Sequence, residues 1–191
     1  MDHDIRPYLP EDERGWLRCR VLAFLDTAYF DDVKTRKPSM PPPSLELVAT
    51  GPRGEVRGIL DIEVEGASAT IETIAVHPDH RSQGIGRALL QEATRRLLDL
   101  NVATLDAWTR DDPSTLRWYR SNGFAESDHY LHVYADYYAD EAEPDRAVGE
   151  RRPDLHPIKA FLHGRMQDEA AMREQFTRVH VCRRFMRALG G

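Results

Sequence analysis

The chain has 191 residues, 41% hydrophobic and 30% charged, which fits one domain with a full core and the balance of an ordinary globular protein. A formal net charge of -6 argues against broad, sequence-independent nucleic-acid binding, which needs a strongly cationic surface. No apolar run at the start reads as a secretory signal, and none elsewhere is long enough to span a bilayer. Cys19 and Cys182 sit in no metal or redox spacing. A cytoplasmic protein is therefore expected, without membrane or nucleic-acid partners and without a metal.

In chain order, Ile5-Arg6-Pro7 predicts a short edge strand, since proline ends its capacity to donate to a ladder. From Glu11 to about Tyr29, the spacing of Trp16, Leu17, Cys19, Val21, Leu22, Phe24 and Leu25 predicts a helix. Lys37 to Pro43 contains four prolines and is read as a loop. Leu45–Thr50, Val56–Val64 and Ala67–Val76 then predict antiparallel strands joined at Gly51–Gly54 and Glu65-Gly66. Leu89, Leu90, Ala93, Leu97 and Leu100 place a helix between Gln83 and Leu100. Val102–Trp108 reads as a strand. Asp112 caps and Pro113 opens a further helix, which Asn122-Gly123 closes.

Tyr130–Ala135 and Thr177–Phe185 read as the last two strands, paired as a hairpin. The stretch between them, about 136–176, is far longer than a hairpin loop and is read as an insertion. Ile158, Leu162 and Met166, at i, i+4 spacing, predict a helix there reaching roughly to Phe176.

Chemistry concentrates in Val76-His77-Pro78-Asp79-His80-Arg81-Ser82-Gln83-Gly84-Ile85-Gly86-Arg87. A strand ends, a proline turn follows, and two glycines stand at the head of a long helix. Helix N-termini leave backbone N–H groups unpaired and carry partial positive charge, so this is a cradle for phosphate or pyrophosphate. The third glycine of a dinucleotide fingerprint is absent, with Leu89 in its place, and so is the lysine of a P-loop.

These residues resemble the GNAT superfamily of acyl-CoA-dependent N-acyltransferases. Val76, Pro78, Arg81, Gly84 and Gly86 match its phosphate turn, and Trp118-Tyr119-Arg120-Ser121-Asn122-Gly123-Phe124 matches its second block at the right interval. The resemblance implies an α/β (α+β) fold over a single domain, 1–191. Its core would be 1–135 and 177–191, a mixed and mainly antiparallel sheet with a central splay, flanked by helices and carrying the helical insertion. The implied cosubstrate is acetyl-CoA or another short acyl-CoA. By resemblance, the backbone of Ile74, Ala75 and Val76 pairs with the pantetheine arm. The turn Arg81, Ser82, Gln83, Gly84, Ile85, Gly86 and Arg87 holds the pyrophosphate. Tyr119 protonates the departing thiolate.

Two positions depart from the family pattern. Asp112 replaces a common asparagine, which puts one hydrogen bond to the cofactor in doubt. Thr70 stands where a glutamate base is frequent, so Glu72, two residues on, is the expected base, with Asp61 and Glu63 as weaker candidates. The acceptor is read as a small-molecule or peptide amine. It is expected near Phe24–Pro43 and the insertion, where Asp136, Asp140, Glu141, Glu143 and Asp145 form an acidic run. The insertion is expected to be a lid, with a homodimer contact as the alternative. A non-catalytic acyl-CoA-binding module is the competing function, favoured by Thr70 and opposed by Tyr119.

Overall fold

The computed structural model describes residues 3–150 and 152–190. Its eight strands are β1 (Asp4–Pro7), β2 (Ser44–Thr50), β3 (Val56–Glu65), β4 (Ser68–Val76), β5 (Thr104–Arg110), β6 (Ala125–Asp136), β7 (Lys159–Gly164) and β8 (Arg178–Ala188). They form one sheet in the order β1-β2-β3-β4-β5-β8-β6-β7. The helices are α1 (Glu13–Phe24), α2 (Ile85–Asp99), α3 (Pro113–Ser121), α4 (Glu143–Ala147) and α5 (Glu169–Gln175). Among the described residues no helix is long and apolar enough to cross a membrane. The chain divides into two compact units, one of 1–108, 117–125 and 185–191, the other of 109–116 and 126–184.

In the first unit β1 to β4 form an antiparallel meander, and β5 joins β4 in parallel. The parallel register runs from Ser68↔Thr104 to Ile71↔Ala107, while β4 itself continues to Val76. This is the expected splay: beyond Ile71, β4 turns an edge toward no registered β5 partner. The two helices cover opposite faces. Trp16, Cys19 and Ala23 of α1 pack with Val48, Ile59 and Ala75. On the other face Gly58 admits α2, because a Cβ there would stand 2.6 Å from Ile85 Cγ2. Helix α1 is shorter than its apolar spacing predicts. Past Leu25 the Thr27 hydroxyl donates to the Phe24 carbonyl at 2.8 Å, and the chain leaves the helix in a series of turns.

In the second unit the predicted helix from Ile158 is replaced by strand β7, which pairs antiparallel with β6 from Leu131↔Gly164 to Asp136↔Lys159. An i, i+4 spacing satisfies a strand's period of two as well as a helical turn, and tertiary pairing chose the strand. Leu162 turns inward toward Leu131, Val133, Phe176 and Val181, while Phe161 faces out. Only the later part, α5, is helical. Strand β8 neighbours β6 as expected, but the hairpin partner of β6 is β7.

The acidic run is spent on bracing this unit. Asp136 pairs with Lys159 at 3.0 Å, and Asp140 pairs with Arg146. Glu143 is fully buried and accepts the N–H groups of Asp136, at 2.9 Å, and Thr177. Glu143→Ala is therefore expected to orphan two backbone donors and destabilise the protein by about 1–3 kcal/mol. Urea unfolding checks this, and an unchanged midpoint would refute it.

Candidate active site

The turn that leads from β4 into α2 folds as its residues dictate. Pro78–His80 forms a single 3-10 turn after β4, with Arg81 N–H donating to the Pro78 carbonyl at 3.2 Å. Ser82 and Gly84 both take left-handed backbone angles, φ 61° and 80°. Gly84 is the N-cap of α2, and its carbonyl takes the Ala88 N–H at 3.0 Å. The N–H groups of Ile85, Gly86 and Arg87 precede that first helical bond and point out of the helix end. A Cβ on Gly84 would meet no atom within 4 Å, so the space over the turn is open. A diphosphate fits such a cradle, and a side chain at Gly84 would compete for it.

The two glycines differ in role. Gly86 is an ordinary helical residue whose added Cβ would touch Trp118 and Val76 at 3.6 Å, an allowed contact. It sets the approach of α3 to α2. Among the cationic side chains, Arg87 is exposed, whereas Arg81 donates to the Ala23 carbonyl at 2.9 Å and ties the turn to the end of α1. Asp112 caps α3 as expected, taking the Ser114 N–H at 3.1 Å and the Ser114 hydroxyl at 2.7 Å.

Tyr119 is buried. Its ring stacks on Phe185 at 5.3 Å and meets Trp118 and Phe124 edge-on. Burial, with a smaller contribution from Tyr29, holds its phenol well above the ordinary range. It therefore carries its proton at neutral pH.

Strand β4 continues from the phosphate turn into a cleft of about 340 Å³. Thr73 faces Asp61 and Ile71 faces Ile62, so Glu72 is the extra residue of a β-bulge. The bulge breaks the strand's alternation and brings both Glu72 and Thr73 to the cleft wall, beside Asp61 and Glu63 of β3. Thr70 faces Glu63 across the strands. Thr70 and Thr73 hold the register with Glu63 and Asp61, and Glu72 is the added residue between them. Burial, then the charges of Glu63 and Asp106, raise the Glu72 carboxyl above its usual value.

Behind the wall Asp61 accepts the Trp16 indole N–H at 3.0 Å and lies 3.3 Å from Lys37 Nζ. Its carboxyl is pushed up to about 6, because burial outweighs the nearby Lys37. Lys37 also pairs with Glu46 and sits over the Tyr8 ring, which pins the proline loop. Pro38, Ser39, Met40 and Pro41 of that loop close the cleft, together with Arg20, Asp32 and Lys34. Sequence reasoning gave Phe24–Pro43, which contains Asp32 and the proline loop, as the expected acceptor region but passed over Trp16 and Arg20. Trp16 and Arg20 lie on a helix whose pattern signals only core.

A sheet opened along β4, a left-handed turn at the head of the next helix and a carboxylate-lined cleft thus stand along one strand. Residues 45–126 match the family model of the acetyltransferase (GNAT) domain, so this stretch of the chain is similar to that domain. Among solved structures, an N-acetyltransferase from Staphylococcus aureus Mu50 has a TM-score of 0.63 at 14% identity, with 100% of both chains covered. The ribosomal-protein-S18-alanine N-acetyltransferase from Escherichia coli has a TM-score of 0.62 at 19% identity, covering 99% of this chain and 95% of its own. The PaiA N-acetyltransferase from Thermoplasma acidophilum, in complex with coenzyme A, has a TM-score of 0.57 at 15% identity, covering 67% of this chain and 92% of its own. No curated protein sequence matches significantly.

Proposed function

We propose that this protein, acting as a single acyltransferase domain, moves an acetyl group from acetyl-CoA to the primary amine of an acceptor held in the β3–β4 cleft. The observation that carries this reading is the continuity of β4. One strand runs from the bulge at Glu72 and Thr73, past the open edge at Ile74, Ala75 and Val76, into the left-handed turn at the head of α2. A thioester whose diphosphate occupies that turn and whose pantetheine arm lies along Ile74–Val76 would present its carbonyl at the bulge.

The roles follow from position and proton affinity. Amides of Ile85, Gly86 and Arg87 at the helix end bind the diphosphate, with Ser82 to Gly84 shaping the turn, and the exposed Arg87 adds charge; the Arg81 amide is already given to Pro78. A backbone N–H of β4 near Ala75 polarises the thioester carbonyl. Glu72, with its raised proton affinity, takes a proton from the amine as the new C–N bond forms. The C–S bond breaks, and the leaving sulfur receives the Tyr119 proton.

Glu72→Gln is expected to lower kcat/KM by about 10–100-fold and to flatten its acid limb. The sign is fixed by the raised carboxyl: the base is lost as pH falls through a value above the usual glutamate range. Rate profiles from pH 5 to 9 with one amine test this; identical limbs in both proteins would remove Glu72 from the mechanism. The reading as a whole rests on thiol release from acetyl-CoA over a panel of amines, amino acids, polyamines and peptides. Tight CoA binding with silence on every acceptor would return the non-catalytic module.

A further inference from the structure

The cleft carries a charge imbalance that acyl transfer does not itself require. Its lining holds four carboxylates, Asp32, Asp61, Glu63 and Glu72, against two cations, Arg20 and Lys34. Both cations are already engaged by Asp32. Arg20 donates to its carbonyl at 2.5 Å and its carboxylate at 2.7 Å, and Lys34 Nζ lies 3.0 Å from the other oxygen. Among the described residues no cation pairs with Glu63 or Glu72. These two stand on adjacent strands of one face. Asp61 is opposite Thr73 and Glu63 opposite Thr70, one strand repeat further, or about 7 Å.

Asp61 is only 3% exposed, and its Oδ1 lies 3.3 Å from the Lys37 ammonium, which it shares with Glu46. With one ammonium already serving two carboxylates, Lys37 offsets neither Glu63 nor Glu72. Pro38, Met40 and Pro41 meanwhile give the cleft an apolar side suited to methylene groups.

Resting on the acyl-transfer reading, we propose that the acceptor is an amine bearing a second positive charge, a short aliphatic diamine or polyamine. Its reacting nitrogen lies at Glu72 and Thr73, and its distal ammonium lies at Glu63. The methylene chain runs along the proline loop.

Three acceptors of equal length test this in thiol-release assays with acetyl-CoA: 1,4-diaminobutane, 1-aminopentane and 5-aminopentanoate. The diamine is expected to exceed both others in kcat/KM by about tenfold or more, as a charge-assisted contact allows. Glu63→Gln, a change at an exposed position, is expected to bring the ratio of diamine to 1-aminopentane near one. Equal rates, a preference for 5-aminopentanoate, or a ratio unmoved by Glu63→Gln would overturn the assigned acceptor while leaving acyl transfer intact. If no amine releases thiol from protein that binds CoA by calorimetry, the transfer reading falls, and this inference falls with it.

Discussion

Tyr119→Phe is expected to lower kcat by about a hundredfold, with a much smaller change in the Kd for CoA. The ring is held by Phe185, Trp118 and Phe124, and phenylalanine keeps those contacts. Only the hydroxyl is lost, so the variant separates proton donation from packing. Burial keeps the phenol protonated in the resting protein. That makes it a reluctant acid, suited to a partner whose proton affinity rises sharply as the C–S bond breaks. A free thiolate has a pKa of about 8.5 against about 10 for an ordinary phenol, and each unit of mismatch costs about 1.4 kcal/mol. The transfer is uphill but affordable within a catalysed barrier. Single-turnover rates and calorimetry together check the split. A kcat within twofold of wild type would reduce Tyr119 to a packing residue.

Gly84→Val is expected to weaken CoA binding by at least about tenfold, whereas Gly86→Ala should change it by less than about threefold. The reason lies in backbone angles. Gly84 has φ 80°, a region that a β-branched residue enters only under strain of about 1–3 kcal/mol. The new side chain would also project into the open space over the turn, where the diphosphate is proposed to sit. An added methyl at Gly86 meets Trp118 and Val76 at an ordinary 3.6 Å and leaves the turn unaltered. Calorimetry with CoA measures both, and circular dichroism establishes that α2 persists. Full CoA affinity in Gly84→Val would dismiss the cradle, and with it the proposed orientation of the thioester.

The contrast between these glycines marks how far local sequence reaches. A glycine pair before an apolar helix announces a left-handed turn at a helix head, since N-cap geometry and left-handed φ are properties of a few consecutive residues. It does not say which glycine bears the conformational demand and which merely lets Trp118 approach. Asp112-Pro113 and Asn122-Gly123 were legible as helix ends for the same reason: each operates within one turn of chain. The helix expected at Ile158 failed because its apolar spacing is shared by two periodicities, and pairing with β6 decided between them.

By itself, then, the chain determined its meander, the long helix α2, the glycine turn at its head and the α3 block that carries Tyr119. All of these follow from short-range capping, turn and alternation rules. Only the tertiary structure decided the cleft along β3 and β4. The bulge that exposes Glu72 and Thr73 together exists in the register between two strands, not in either one. The Trp16–Asp61 contact joins residues 45 apart, and the Lys37 ammonium finds its two carboxylates only after the loop has folded over β2 and β3. Which charges are cancelled and which remain for a ligand depends on those distant pairings, because an ion pair is defined by separation in space.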